Sequence, residues 1–188
     1  SSDLVQAVDT YEQALQILRQ AELKRPMGFA LGNLAVASQK LGLIEEALGA
    51  YSEAIALLAE IGAGPAAAAF TCLRGELLLL TGDAGSAQRD LEAADAALQT
   101  VALRSYRMQY WVPLKVRMLA HHGDIEEAFA LVREAQRKTG KVTQTSEQGK
   151  TLEVIGAVLG AAGSGRLVNG HVPDQLSREL RKVLSARM

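Results

Sequence analysis

The chain is poor in several residue types, and each shortage excludes something. Cys72 is its one cysteine among 188 residues, so no disulfide can form within it and a reducing cytoplasm is the expected home. Aromatics make up 4% and there are four prolines; with abundant Ala, Leu and Gly, that composition favours helices with small residues where they meet. No apolar run approaches the roughly 18–20 residues that span a bilayer. The longest candidate, "GELLLLTG" at 75–82, is too short, so no membrane is expected among the partners. The opening "SSDLVQ" has neither the basic nor the apolar stretch of a secretion signal.

Excess charge of one sign is also missing overall. The net charge of −1 speaks against a general binder of polyanions, so nucleic acid is an unlikely partner for this stretch. The distribution is uneven. Residues 1–100 carry 6 Lys/Arg against 13 Asp/Glu, a net of −7, and residues 101–188 carry 14 against 8, a net of +6. Such polarity either orients a partner or favours head-to-tail association, or it reflects two solvated faces of opposite sign.

What the chain does have is one sentence written repeatedly. "SDLVQAVDTYEQA" at 2–14 returns as "GLIEEALGAYSEA" at 42–54, "GDAGSAQRDLEAA" at 82–94 and "GDIEEAFALVREA" at 123–135. A fixed period of this length marks stacked units. Gly42, Gly82 and Gly123 each close an apolar stretch, where glycine tolerates the left-handed conformation that ends a helix. Asp3, Asp83 and Asp124 then suit the cap of the next helix.

Taking Ser2, Gly42, Gly82 and Gly123 as markers, five residues after each stands Ala7, Ala47, Ala87 or Ala128, and twelve after it Ala14, Ala54, Ala94 or Ala135. Seven residues are two helical turns, so both alanines share a face that lets a neighbour approach. Tyr11, Tyr51, Leu91 and Val132 fill the space between them. The helix before each marker has its own pattern. Ala35, Gly75 and Val116 lie seven residues upstream, and Ser38, Leu78 and Leu119 lie four upstream. One period beyond 123 the first-helix pattern recurs as Gly156, Leu159 and Gly163, without a second-helix pattern after it.

These spacings predict a lone helix at 3–22, then helix pairs at 27–41 and 44–61, 66–81 and 84–99, and 103–122 and 124–138. A helix at 146–162, a Gly-rich loop at 163–173 and a last helix from 174 follow. Pro113 should kink or restart its helix. No strand is expected, and each hairpin needs its neighbours to cover an apolar face. The fold class expected is therefore all-α.

The pattern resembles the tetratricopeptide repeat. That resemblance rests on Ala35, Gly42, Ala47, Tyr51 and Ala54; on Gly75, Gly82, Ala87, Leu91 and Ala94; and on Val116, Gly123, Ala128, Val132 and Ala135. It covers about residues 2–163. Two departures are plain: Leu31, Thr71 and Val112 stand where the family has an early Trp, and the period is 40 rather than 34. Longer repeats of this kind are similar to those in large bacterial transcription regulators of the maltose-activator type. The resemblance implies a right-handed α-solenoid: a half repeat at 1–25, repeats at 26–64, 65–101 and 102–140, and a degenerate repeat with a capping helix at 141–188. A start on a second helix leads us to expect a part of a longer protein.

The family binds partners on the concave side lined by first helices. Carried over, that face comprises Phe29, Gln39, Lys40, Cys72, Glu76, Tyr110, Arg117, His121, Lys150 and Glu153. Gly32 and Val36 stand where some members clamp a peptide carboxylate, which puts that ligand class in doubt. Residues 103–123 interleave Tyr106, Tyr110 and Trp111 with Arg104, Arg107, Lys115 and Arg117. They either stack on bases or acidic peptides, or combine core aromatics with bases that reach to solvent.

His121 and His122 are adjacent, which is not a metal-ligand spacing on a helix, and no metal or other cofactor is expected. "GKT" at 149–151 lacks the earlier Gly of a phosphate loop, since Gln144 stands there. No catalytic constellation is visible. The reading is a non-enzymatic module in a bacterial regulatory or signalling protein, with a protein or peptide partner. Its alternatives are a small-molecule effector sensor and a self-association module forming homo-oligomers.

Overall fold

The computed structural model describes residues 2–99, 102 and 104–139. Lys150, Glu153 and the helices expected after residue 140 lie outside the described residues. The described residues are helical throughout, with no strand among them, and none of their helices is long and apolar enough to cross a membrane. They are α1 (Ser2–Gln20), α2 (Lys24–Leu41), α3 (Ile44–Glu60), α4 (Gly64–Leu80), α5 (Ala84–Ala97), the single turn α6 (Arg104–Tyr106), a π-helical segment (Arg107–Trp111), α7 (Val112–His122) and α8 (Ile125–Thr139). Two compact units divide between Tyr106 and Arg107.

In the first unit each helix packs on its neighbours in sequence: α1 on α2, α2 on α3, α3 on α4, and α4 on α5. In the second unit α7 packs on α8 and on the π-helical segment. The helix ends show why the spacing is so regular. The amide of Gly42 donates to the carbonyl of Gln39, and the amide of Leu43 to that of Ser38. This pair satisfies two carbonyls that a helix end leaves orphaned. Gly42, Gly82 and Gly123 have φ of 78°, 94° and 89°, as the markers require.

The same pair of bonds recurs at Gly62 with Ala63, at Gly82 with Asp83, at Gly123 with Asp124, and at Glu22 with Leu23. The turns at 22, 42, 62 and 82 are thus twenty residues apart, half the period read from the sequence. Gly62 and Glu22 were not among the expected markers. Glu22 takes φ of 54° without being glycine. Among the expected caps, Asp83 accepts from the amide of Ser86 at 2.9 Å.

The small-residue rule holds in three units. Ala47, Ala54, Ala87, Ala94, Ala128 and Ala135 are buried, as are Tyr51, Leu91 and Val132 between them. Burying each of the bulky three stabilises by about 1.5–3 kcal/mol, while the alanines set how closely the helices approach. In α1 the corresponding Ala7, Tyr11 and Ala14 are only half-buried.

Two helix starts differ from expectation. α2 begins at Lys24 and α4 at Gly64, so Pro26 and Pro65 lie inside first turns, where a missing amide costs nothing. Pro113 likewise sits in the first turn of α7. Its ring would crowd the carbonyl of residue 109 in an α-helix. The chain accommodates it by widening into the π-helical segment at Arg107–Trp111, which includes Gln109.

Candidate functional site

The first unit presents one row of exposed side chains along α2. Arg25, Phe29, Asn33 and Lys40 are exposed and Val36 is half-buried. Steps of three and four residues keep all five on one side of the helix. The rest of the helix circumference holds Gly28, Ala30, Leu31, Gly32, Ala35, Ala37 and Ser38, all buried, with Gly32 directly flanking the row. One period later the row continues on α4 as half-buried Leu73 and Glu76 and exposed Leu80.

Phe29 is held in place rather than free. It is 38% exposed, yet its ring packs edge-to-face on Phe70 of α4, centroids 6.5 Å apart. Phe70 is itself buried and lies 6.3 Å from the ring of Tyr51 on α3. Such aromatic pairs add about 0.5–1.5 kcal/mol beyond the area they bury. Gly32 lets this happen, because Phe70 fills the space a side chain there would use. A cationic clamp at residue 32 is therefore sterically excluded.

Tyr51 brings two of the expected residues together from below. Its hydroxyl donates to Gln39 Oε1 at 3.0 Å. Burial, and secondarily the charge of Glu76, holds the phenol protonated far above its ordinary range. Gln39 is thus a half-buried acceptor whose orientation is set by Tyr51, while Lys40 next to it stays in solvent. Cys72 corrects the expected face. It is fully buried and cannot line an open surface, since its place on α4 turns inward.

A residue pair that sequence reasoning missed stiffens this frame. Arg74 on α4 grips Asp90 on α5 with two parallel bonds, Nε to Oδ2 at 2.9 Å and Nη2 to Oδ1 at 2.7 Å. Its Nη1 donates to Ser52 Oγ on α3 at 3.0 Å. Donating to Asp90 raises the guanidinium pKa further, against the opposing effect of burial. One side chain therefore ties three consecutive helices. Nearer the surface, Arg19 pairs with Glu53 at 3.2 Å and Lys24 pairs with Glu60.

The second unit holds the other described candidates. Tyr110 is half-buried in the π-helical segment, and its hydroxyl accepts from Gln109 at 3.2 Å. Arg117 is half-buried on α7. His121 is exposed at the end of α7, its ring edge-on to that of His122 at 5.6 Å. Within the interleaved cluster, the Arg107 guanidinium lies 3.7 Å from the centroid of Trp111. These two members are spent on each other, a cation–π pair worth about 0.5–2 kcal/mol. The structure thus groups Phe29, Gln39, Lys40 and Glu76 in the first unit, and Tyr110, Arg117 and His121 in the second.

No protein-family model, no curated protein and no solved structure matches the chain.

Proposed function

We propose that the chain is a non-enzymatic, tetratricopeptide-like repeat module that docks a protein or peptide segment along α2 and α4. The observation that carries this reading is the row of Arg25, Phe29, Asn33 and Lys40. It joins an exposed aromatic anchor to hydrogen-bonding and charged groups on one helix side. Phe29 is braced by Phe70, and Gln39 by Tyr51. A preformed surface of this kind loses little ordering entropy on binding. Aromatic anchors set among polar neighbours commonly dominate interface energetics.

The right-handed solenoid belongs to the same proposal. Neighbour-on-neighbour packing and turns every twenty residues support it, because units that pack only in sequence order stack into a row. A place in a bacterial regulatory or signalling protein remains part of this reading.

A random-peptide display selection on the 188-residue chain, counter-selected on Phe29→Ala, tests the docking face. The expected result is a family of peptides that loses at least tenfold in affinity on the variant, about 1.4 kcal/mol. Peptides that bind both proteins equally, or no enrichment at all, would remove the proposal.

A further inference from the structure

We infer that the segment docking along α2 and α4 is an amphipathic helix about four turns long, apolar along one stripe and carrying a carboxylate near each end. This rests on the docking reading above and specifies the partner. The starting observation is how charge divides between the two kinds of helix in the first unit. The first helices of the hairpins, α2 and α4, carry Lys24, Arg25, Lys40 and Arg74 against Glu76, a net of +3. The second helices, α1, α3 and α5, carry ten Asp/Glu against Arg19 and Arg89, a net of −8. A basic pair of helices thus stands within an acidic unit, and α2 has no acidic residue at all.

Most cations of this unit are already committed. Arg19 pairs with Glu53, Lys24 with Glu60 and Arg74 with Asp90, while Arg89 donates to the Ser86 hydroxyl. Among the described residues, Arg25 and Lys40 have no such partner. Both are exposed, and both stand in the row with Phe29. Fifteen positions separate them, which is roughly 22 Å along a helix. Two solvated cations at the ends of one row attract carboxylates of similar separation.

Between them the surface is apolar. Phe29 and Val36 lie on α2, and Leu73 and Leu80 occupy the corresponding side of α4. Phe70 reaches from α4 to both Phe29 and Gly32, which holds the two helices side by side. The partner therefore needs an apolar stripe between its carboxylates. A helix meets that need best. Backbone groups in the middle of α2 and α4 are bonded within their own helices, so they offer an extended segment no ladder to join. A helical partner brings its backbone already satisfied, and its residues at i, i+3, i+4 and i+7 form the stripe. In a second copy, α3 has the right charge but not the stripe, because its Ala47, Tyr51 and Ala54 are buried.

A display library of helical peptides roughly 18 residues long, about five turns, tests this on the 188-residue chain. The peptides are apolar along one stripe and randomised elsewhere. Winners should carry Asp or Glu near both ends. They should lose about tenfold in affinity on Arg25→Glu/Lys40→Glu, where two attractions become repulsions, and less on Arg25→Gln/Lys40→Gln. Exchanging the end acids for Lys should restore binding to the charge-reversed chain, and a central proline in the peptide should abolish it. Winners without acidic ends, winners indifferent to the charge reversal, or winners that keep their affinity with the proline overturn the inference. If such winners still lose tenfold on Phe29→Ala, the docking face stands, so the two readings fail separately. No enrichment, or winners indifferent to Phe29→Ala, removes both. A dimer of the unmodified chain that the charge reversal dissociates assigns the face to a second copy and overturns the inference equally.

Discussion

The ring of Phe70 occupies the space where residue 32 would carry a side chain: a Cβ on Gly32 would lie 2.1 Å from Phe70 Cζ. The glycine is thus a receptor for the aromatic ring that braces Phe29. Gly32→Ala gains about 1 kcal/mol of helix propensity, but it must displace a ring that is already packed. Overpacking of this kind costs about 1–3 kcal/mol, and a separation this short puts the net change near 2 kcal/mol of destabilisation. In a Phe70→Leu background the same substitution should cost much less. Urea unfolding of the two single variants and the double variant gives the coupling directly.

The pair formed by Arg74 and Asp90 predicts an asymmetry. Asp90→Ala leaves a partly buried guanidinium with Ser52 as its remaining side-chain partner and should cost about 1.5–3 kcal/mol, the range for lost hydrogen bonds to a charged group. Replacing both residues with leucine should cost less than Asp90→Ala alone, since two apolar side chains leave no buried charge. Chemical denaturation of the three proteins checks the order.

Tyr51 predicts sensitivity to alkali. Its phenol is held neutral in the folded state by burial and by the charge of Glu76, whereas an unfolded tyrosine titrates near pH 10. Deprotonation therefore favours the unfolded chain. The contribution of Tyr51 is fully present below about pH 10 and is lost as pH rises toward the higher folded value. Tyr51→Phe should cost about 1 kcal/mol at neutral pH through the lost bond to Gln39. It should also flatten the fall in melting temperature above pH 10.

Glu22 predicts a gain. It closes α1 with φ of 54° and donates to Arg19 in the bond that the glycines make elsewhere. The left-handed conformation costs a non-glycine residue roughly 1 kcal/mol. Glu22→Gly should therefore stabilise by about that amount, with its turn and the bonds of Leu23 unchanged. Thermal melting would show the effect, and a lower melting point would contradict the reading of this turn.

The markers at Gly42, Gly82 and Gly123 were legible because glycine, a following cap residue and the alanine pattern repeat together. The alternate turns were not. Glu22 has no propensity that announces a left-handed residue, and Gly62 stands in "GAG" where nothing distinguishes it from its neighbour. Phe29, Gln39 and Glu76 could be nominated from their register on first helices. What braces them could not, because the contacts of Phe70 with Gly32 and Phe29 join residues about forty positions apart. Arg74 and Asp90 likewise look like ordinary surface charges until α4 and α5 bring them together. The burial of Cys72 was missed because register on a helix was read without the neighbouring helices that cover it.

The proposed docking face exists only if the helix ends recur every twenty residues from Ser2 to Ala97. Amide hydrogen exchange on the intact chain measures this most directly, since the first amides of each helix lack intrahelical partners and helix interiors are protected. Between residues 6 and 97, fast exchange should be confined to short windows that open α2, α3, α4 and α5, near residues 25, 45, 64 and 85, with protected stretches between them. Protection running unbroken through any of those windows, or fast exchange in the middle of α2 or α3, would contradict the repeated architecture.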